Sequence, residues 1–204
     1  MEKPHQEALP SRQFDISKID FELLSREFAH TRRKNLLLRD LDELVNQQLA
    51  KMLFANPQRI DYYDRYQEII DAYNAEQNRA TIEKTFMDLM ELASSLDTEQ
   101  QRYVREGFSS DEELSVYDLL FSENLTKQEI ETIKKVSVDL LTKIKQQIAK
   151  LDHWTDKQET KAIVDNLIRK TLWQELPNSY DVSDIQTYQK KIYEYVYMRY
   201  PEVA

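Results

Sequence analysis

The chain has 204 residues, 41% hydrophobic and 32% charged, with a formal net charge of −9, a balance that suits one helical domain or two small ones and argues against disorder. Its single glycine, Gly107, excludes a Walker A loop or a dinucleotide fingerprint, which need several glycines so that backbone amides can approach a phosphate. The absence of cysteine excludes disulfides, thiolate metal sites and a cysteine nucleophile.

Residues 1–17 hold two prolines and little periodicity, and read as a linker or terminal tail. The first expected helix follows Asp20, a candidate N-cap, with Phe21, Leu24 and Phe28 at spacings of three and four, and ends near His30. TRRKNLLLRDLDELVNQQLAKMLFAN predicts a long amphipathic helix whose stripe is Leu37, Leu41, Val45, Leu49, Met52 and Leu53. Asn56 and Pro57 then supply a cap and a first-turn proline. Beyond them Ile60, Tyr63, Tyr66, Ile70 and Tyr73 predict a buried stripe, with Asp61 and Arg65 paired outside and Tyr62 set beside it.

Ile82, Phe86, Leu89, Met90, Ala93 and Leu96 continue the helical period after Asn78. Asp97 or Thr98 is the expected cap of a shorter helix that Gly107 stops from the C′ position. Ser110-x-x-Glu113, Thr126-x-x-Glu129, Thr155-x-x-Gln158 and Ser183-x-x-Gln186 all match the capping-box pattern and mark four helix starts. The second opens a helix carrying Ile130, Ile133, Val136, Leu140, Ile144, Ile148 and Leu151, expected to be roughly 35–40 Å long at the helical rise. The third precedes Ile163, Leu167 and Leu172. The last precedes Ile185, Tyr188, Ile192 and Val196, with Tyr193, Tyr197 and Tyr200 beside that stripe until Pro201. The fold class is therefore all-α, a multi-helix bundle of about seven to eight helices. It is read either as one domain or as helical subdomains at 18–108 and 109–204, after the tail at 1–17.

Chemistry is sparsely represented. The three histidines are His5 in the tail, His30 at a helix end and His153 in a loop, so no Ser-His-Asp arrangement is suggested. Glu27-x-x-His30 has the spacing of a di-iron ligand pair, but that chemistry needs a second copy and further glutamates, and no second copy exists. Glu112 and Glu113 sit at a helix start, where the helix dipole already explains them. No catalytic, cofactor or metal residue is assigned.

The net negative charge opposes generic attraction to nucleic acid, but it is unevenly spread. Residues 97–131 carry ten acids against three bases, whereas 132–170 carry nine bases against five acids. Arg32, Arg33 and Lys34 stand at a helix N-terminus, against its dipole, and admit two readings: solvated side chains after a turn, or a contact with phosphate or an acidic protein. Lys134, Lys135, Lys143 and Lys145 admit the same two readings, with Glu131–Lys135 and Asp139–Lys143 as expected i,i+4 pairs.

Several stretches carry a resemblance: FDISKIDFELLSREFA, RKNLLLRDLDELVNQQLAKML, NPQRIDYYDRYQEIIDAYN, EQQRYVREGFSSDEELSVYDLL, LTKQEIETIKKVSVDLL and LPNSYDVSDIQTYQKKIYEYVY. In this order they resemble the C-terminal region of the R subunit of type I restriction-modification enzymes, over nearly the whole chain after Phe14. The resemblance implies the helical part that follows a nuclease domain and an ATP- and Mg-dependent DNA motor, with no cofactor of its own and no catalytic residue carried over. It implies docking of the motor onto the methyltransferase core of M and S subunits. Exposed residues of the last helix, Tyr193 and Tyr197 among them, Tyr62 and the acidic 97–131 segment are the candidate contacts. The alternatives are a surface that touches duplex DNA through Arg32, Arg33, Lys34 and the Lys134 to Lys150 face, and a scaffold that braces the motor domains of the same polypeptide. A soluble, cytoplasmic setting with no membrane partner is expected: no run approaches the ~20 apolar residues of a bilayer span, and MEKPHQEALPSRQF lacks a signal-peptide core.

Overall fold

The structure, a computed structural model, describes residues 20–76 and 78–201. The tail read at 1–17, with His5, lies outside them. Among the described residues there is no strand. The helices are α1 Phe21–His30, α2 Lys34–Ala55, α3 Ile60–Ala75, α4 Arg79–Gln100, α5 Arg102–Arg105, α6 Asp111–Leu120, α7 Lys127–Ile148, α8 Gln158–Glu175 and α9 Val182–Arg199. A 3-10 turn, Pro57–Arg59, precedes α3. Eight of these helices have seven residues or more, so the all-α, multi-helix expectation holds.

The starts follow from side chains that satisfy orphan amides. Asp20 accepts from the Leu23 amide at 2.9 Å, and Asn56 Oδ1 accepts from the Gln58 amide at 3.1 Å ahead of Pro57. Thr126 and Glu129 form a complete capping box, the Thr126 amide donating to Glu129 Oε2 at 2.8 Å. Gly107 sits at φ +83°, where an L side chain is strained, and ends α5: its amide reaches the Val104 carbonyl and the Phe108 amide the Tyr103 carbonyl. That pair of bonds is a Schellman closure.

Four expectations need correction. The helix placed at Asp97 or Thr98 does not start there, because α4 runs on to Gln100 and only the four-residue α5 precedes Gly107. Thr155 does not cap α8. The N-cap is Lys157, and Gln158 is the first helical residue, too early to be the N3 partner. Ser183 is likewise inside α9, whose box is Asp181 with Asp184: each carboxylate accepts the other residue's amide. Finally, Ser110 does accept from the Glu113 amide, but the Glu113 carboxylate reaches back to the Ser109 amide rather than to that of Ser110.

Apolar stripes also shift. In α3 Tyr66 and Ile69 are buried, but Ile60 and Tyr63 are exposed, while Tyr62, Ile70 and Tyr73 are half-buried. The inner position before Tyr62 belongs to Arg59, a buried cation that a search for apolar periodicity passes over. In α8 the buried residues are Val164, Ile168, Thr171 and Leu172, so Ile163 faces outward. The α7 stripe stands as read from Ile133 to Ile148, though the helix stops there and is about 33 Å long at the helical rise.

The chain divides into two units. The first takes the described residues up to Leu49 together with Arg65–Asp97; the second takes Ala50–Asp64 and the described residues from Thr98 onward. In the first, Phe28 stacks on Phe86 with centroids 3.6 Å apart and rings 6° from parallel, and the Tyr66 hydroxyl donates to Asp42 at 2.8 Å. In the second, α6 packs on α7 and α9, α7 on α8, and α8 on α9, with α5 and the 3-10 turn against α6. Leu114, Leu120, Ile133, Leu140, Ile144, Ile168, Leu172, Ile192 and Val196 are fully enclosed there, each contributing about 1.5–3 kcal/mol by burial.

The Thr126 box makes a first prediction. Its hydrogen bonds hold the Glu129 carboxyl below the ordinary range, so the stability it contributes is present above the unfolded pKa and is lost as pH falls through the lower folded one. Thr126→Ala is expected to cost about 1 kcal/mol near neutral pH and to flatten the loss of stability between pH 5 and pH 3. Urea melts followed by circular dichroism at several pH values measure both.

Candidate functional site

Thr31 to Lys34 close α1 and open α2. The Thr31 hydroxyl accepts from the Arg33 amide at 3.1 Å, which bends the chain and turns Arg32 and Arg33 into solvent. Lys34 points back instead, lying 4.9 Å above the Phe28 ring and donating to Glu83 Oε1 at 2.6 Å. Arg79, the first residue of α4, donates to the same oxygen at 3.2 Å. One carboxylate therefore ties together two cations that are distant in sequence. The result is a shallow concavity lined by Arg32, Arg33, Lys34 and Arg79 with Thr31, Asn35 and Ile82, and among the described residues no carboxylate lines it. Neither α2 nor α4 has an acid in its first turn, so the cations add to the positive ends of both helices. Glu83, pinned by Lys34 and then Arg79, titrates below the ordinary carboxylate range. Arg79 stands alone in sequence, and the one signal it offers there is its position right after the Asn78 cap, against the α4 dipole.

The second unit holds a cluster of a different kind. Arg59 is only 4% exposed. Its Nε donates to Glu99 Oε1 at 2.9 Å, and its two Nη atoms grip Asp111 at 3.0 and 2.7 Å. Glu99 also takes Arg102 at 3.0 Å. Arg102 continues to Asp118, which accepts from Asn56 Nδ2 at 2.6 Å as well. Two arginines thus serve three carboxylates. Burial, only partly offset by Arg102 and Asn56, pushes the Asp118 carboxyl up. Burial would lower Arg59, but Asp111 and Glu99 outweigh it and raise it. Tyr62 faces this cluster: burial first and the Glu99 charge second push its phenol up, against Arg102 and Arg59. Every member is held by another, so the cluster is a structural joint between the 3-10 turn, α4, α5 and α6 within this unit.

Lys134, Lys143 and Lys145 of α7 take partners outside the helix, and neither expected i,i+4 pair, Glu131–Lys135 or Asp139–Lys143, forms among the described residues. Lys134 reaches Glu106 at 3.1 Å and lies only 4.0 Å from Glu131. Lys143 bonds Glu175 at 2.5 Å. Lys145 bonds Glu112, which also lies 3.9 Å from Arg199. Burial raises Glu112, but Lys145 and Arg199 pull it below the ordinary range. Lys135 lines a shallow groove with Lys134, Glu131, Asp139 and Phe108. Much of the acidic 97–131 segment is engaged by cations, through Glu99, Glu106, Asp111, Glu112 and Asp118, while Glu129 caps its own helix. In the first unit Arg65 pairs with Glu91 at 3.0 Å, not with Asp61. The reason is common to all: acids brought near by folding compete with the helical neighbour, whose own pairing stabilises by only about 0.2–0.5 kcal/mol.

Residues 7–200 match the family model described as type I restriction enzyme HindI endonuclease subunit-like, C-terminal. The chain belongs to that family. No curated protein and no solved structure matches it.

In this type I restriction enzyme C-terminal domain, no cluster of three or more metal-ligating acids or histidines occurs among the described residues. None of the described helices is long and apolar enough to cross a membrane. His30 Nδ1 lies 2.8 Å from the Arg26 carbonyl, an intrahelical contact. Tyr193 and Tyr197 stand edge-on to the buried Trp154, with centroids 6.2 and 5.7 Å away. Tyr193 is half-buried there, while Tyr197 is 38% exposed. The structure thus brings together Arg32, Arg33 and Lys34, and separately Tyr193 and Tyr197. Tyr62 belongs to the Arg59 cluster, and the lysines are distributed along α7. The sequence reading missed the outward apolar residues of the last two helices, Ile163 and Trp173 on α8 and Val182 and Met198 on α9. Helical spacing with Leu167 places Ile163 on the inner stripe, yet it is 43% exposed.

Proposed function

We propose that this domain is a non-catalytic docking element that holds the DNA-translocating endonuclease subunit on the methyltransferase core of M and S subunits. The observation that carries the reading is the set of large apolar side chains that α8 and α9 leave exposed: Trp173 is 50% exposed, Met198 63% and Val182 55%. Large apolar and aromatic side chains left in water favour association, and tryptophan is among the residue types on which binding energy concentrates. Family membership supports the reading, since a motor that pulls DNA works on a complex only while attached to it. The helices supply a stiff part for that task, because their buried stripes and the Arg59 cluster leave little freedom inside the second unit.

The test is association with the purified M and S core. The domain is expected to bind it and to compete with the complete R subunit, and Trp173→Ala is expected to weaken binding at least tenfold while leaving the thermal melt unchanged. If the domain neither binds nor competes, the docking reading fails.

A further inference from the structure

The concavity at the start of α2 is not explained by docking. In a chain of net charge −9, Arg32, Arg33, Lys34 and Arg79 surround one shallow depression; among the described residues Glu83 is the only acid tied to them, and it lies outside the lining. Among the described residues no ion pair engages Arg32 or Arg33. Glu83 serves to position, because one oxygen holds both Lys34 and Arg79 at the rim. The group keeps about three positive charges in excess of its one acid, a local surplus that favours an anion most at low salt.

We propose that this concavity binds the phosphate backbone of duplex nucleic acid, independently of sequence and independently of the docking reading. Three of its four cations are arginines, whose planar forks match phosphate oxygens two at a time. Among the described residues no aromatic side chain lines it, and so they offer no stacking platform of the kind on which single strands depend. Nothing in the lining is placed to read base edges, and contact is confined to the backbone. A duplex carries one charge per about 1.7 Å of axis, a density that a small cluster of this kind matches better than the diluted carboxylates of a folded protein.

The experiment is fluorescence anisotropy of a labelled 30-base-pair duplex of arbitrary sequence with the full 204-residue chain. Binding is expected at 50 mM NaCl and should fall roughly 60-fold by 200 mM, from a log–log slope of about −3. Arg32→Glu with Arg33→Glu should weaken it at least tenfold and Arg79→Gln severalfold. Arg169→Glu with Lys170→Glu, the same charge change on exposed α8 positions, should leave it within twofold. Circular dichroism checks that each variant is folded, and Arg32→Ala with Arg33→Ala replaces the reversal if that one is not. The proposal is overturned if no duplex binding is seen at 50 mM NaCl, or if the α8 reversal weakens it as much. It is equally overturned if a polyglutamate peptide competes as well as unlabelled duplex, which would assign the site to an acidic protein, or if a single strand binds more tightly.

Discussion

Replacing Arg59 by methionine is expected to cost about 3–5 kcal/mol, the range measured when one partner of a buried ion pair is removed. The size follows from what remains behind. Glu99 is 6% exposed and would lose the guanidinium that binds it at 2.9 Å, keeping Arg102 at 3.0 Å as its one cation beside the uncharged Tyr62 phenol. Asp111 would lose both of its arms but is less enclosed, so it can recover water. The penalty therefore concentrates on Glu99. Adding Glu99→Gln to Arg59→Met removes that uncompensated charge and is expected to restore a good part of the loss. In a double-mutant cycle the two changes should be strongly non-additive. Urea unfolding of wild type, both single variants and the double variant measures it; additive losses would show that the cluster does not act as a unit.

Trp154→Ala is expected to be comparably severe, about 3–5 kcal/mol, as for other buried aromatic truncations. Trp154 is 1% exposed and lies in the turn between α7 and α8. Its indole Nε1 donates to the Tyr200 carbonyl at 2.6 Å, fixing the end of α9, and its own carbonyl accepts from Thr160 at 2.7 Å, fixing the start of α8. Tyr193 and Tyr197 pack edge-on against the ring. Trp154→Phe separates the contributions: most of the apolar contact is kept while the Tyr200 carbonyl loses its donor, an expected cost of about 1–3 kcal/mol. Chemical denaturation of both variants tests the order. Equal losses would mean that the hydrogen bond, not the packing, dominates.

Local rules made much of the fold legible. Asp20, Asn56 with Pro57, and Thr126 with Glu129 announce helix starts because a cap is settled within four residues. The α7 stripe is legible because every inward position is apolar or a serine. Where a pattern has several registers the sequence misleads: Thr155-x-x-Gln158 and Ser183-x-x-Gln186 have the right letters, but Lys157 and Asp181 stand at the caps. Inward-facing charge is harder still. Arg59 looks like a surface residue until Glu99 and Asp111 arrive from 40 and 52 positions away. The same limit applies to the candidate site. Arg32, Arg33 and Lys34 are adjacent in sequence and were visible as a group, whereas Arg79 joins them only because Glu83 is shared. Lys134, Lys143 and Lys145 read as a basic face only while their distant carboxylates are out of view.

The chain contains two tryptophans, and they occupy opposite environments. Trp154 is sealed inside the second unit and Trp173 stands half in water on α8. This gives the domain two intrinsic optical reporters that need no label. Emission from Trp154 should be blue-shifted and inaccessible to iodide, and it should change only when the α7–α9 core opens. Emission from Trp173 should be red-shifted and readily quenched, and any partner that covers the outer face of α8 should protect it. A single quenching titration can therefore distinguish occupation of that face from loosening of the fold beneath it.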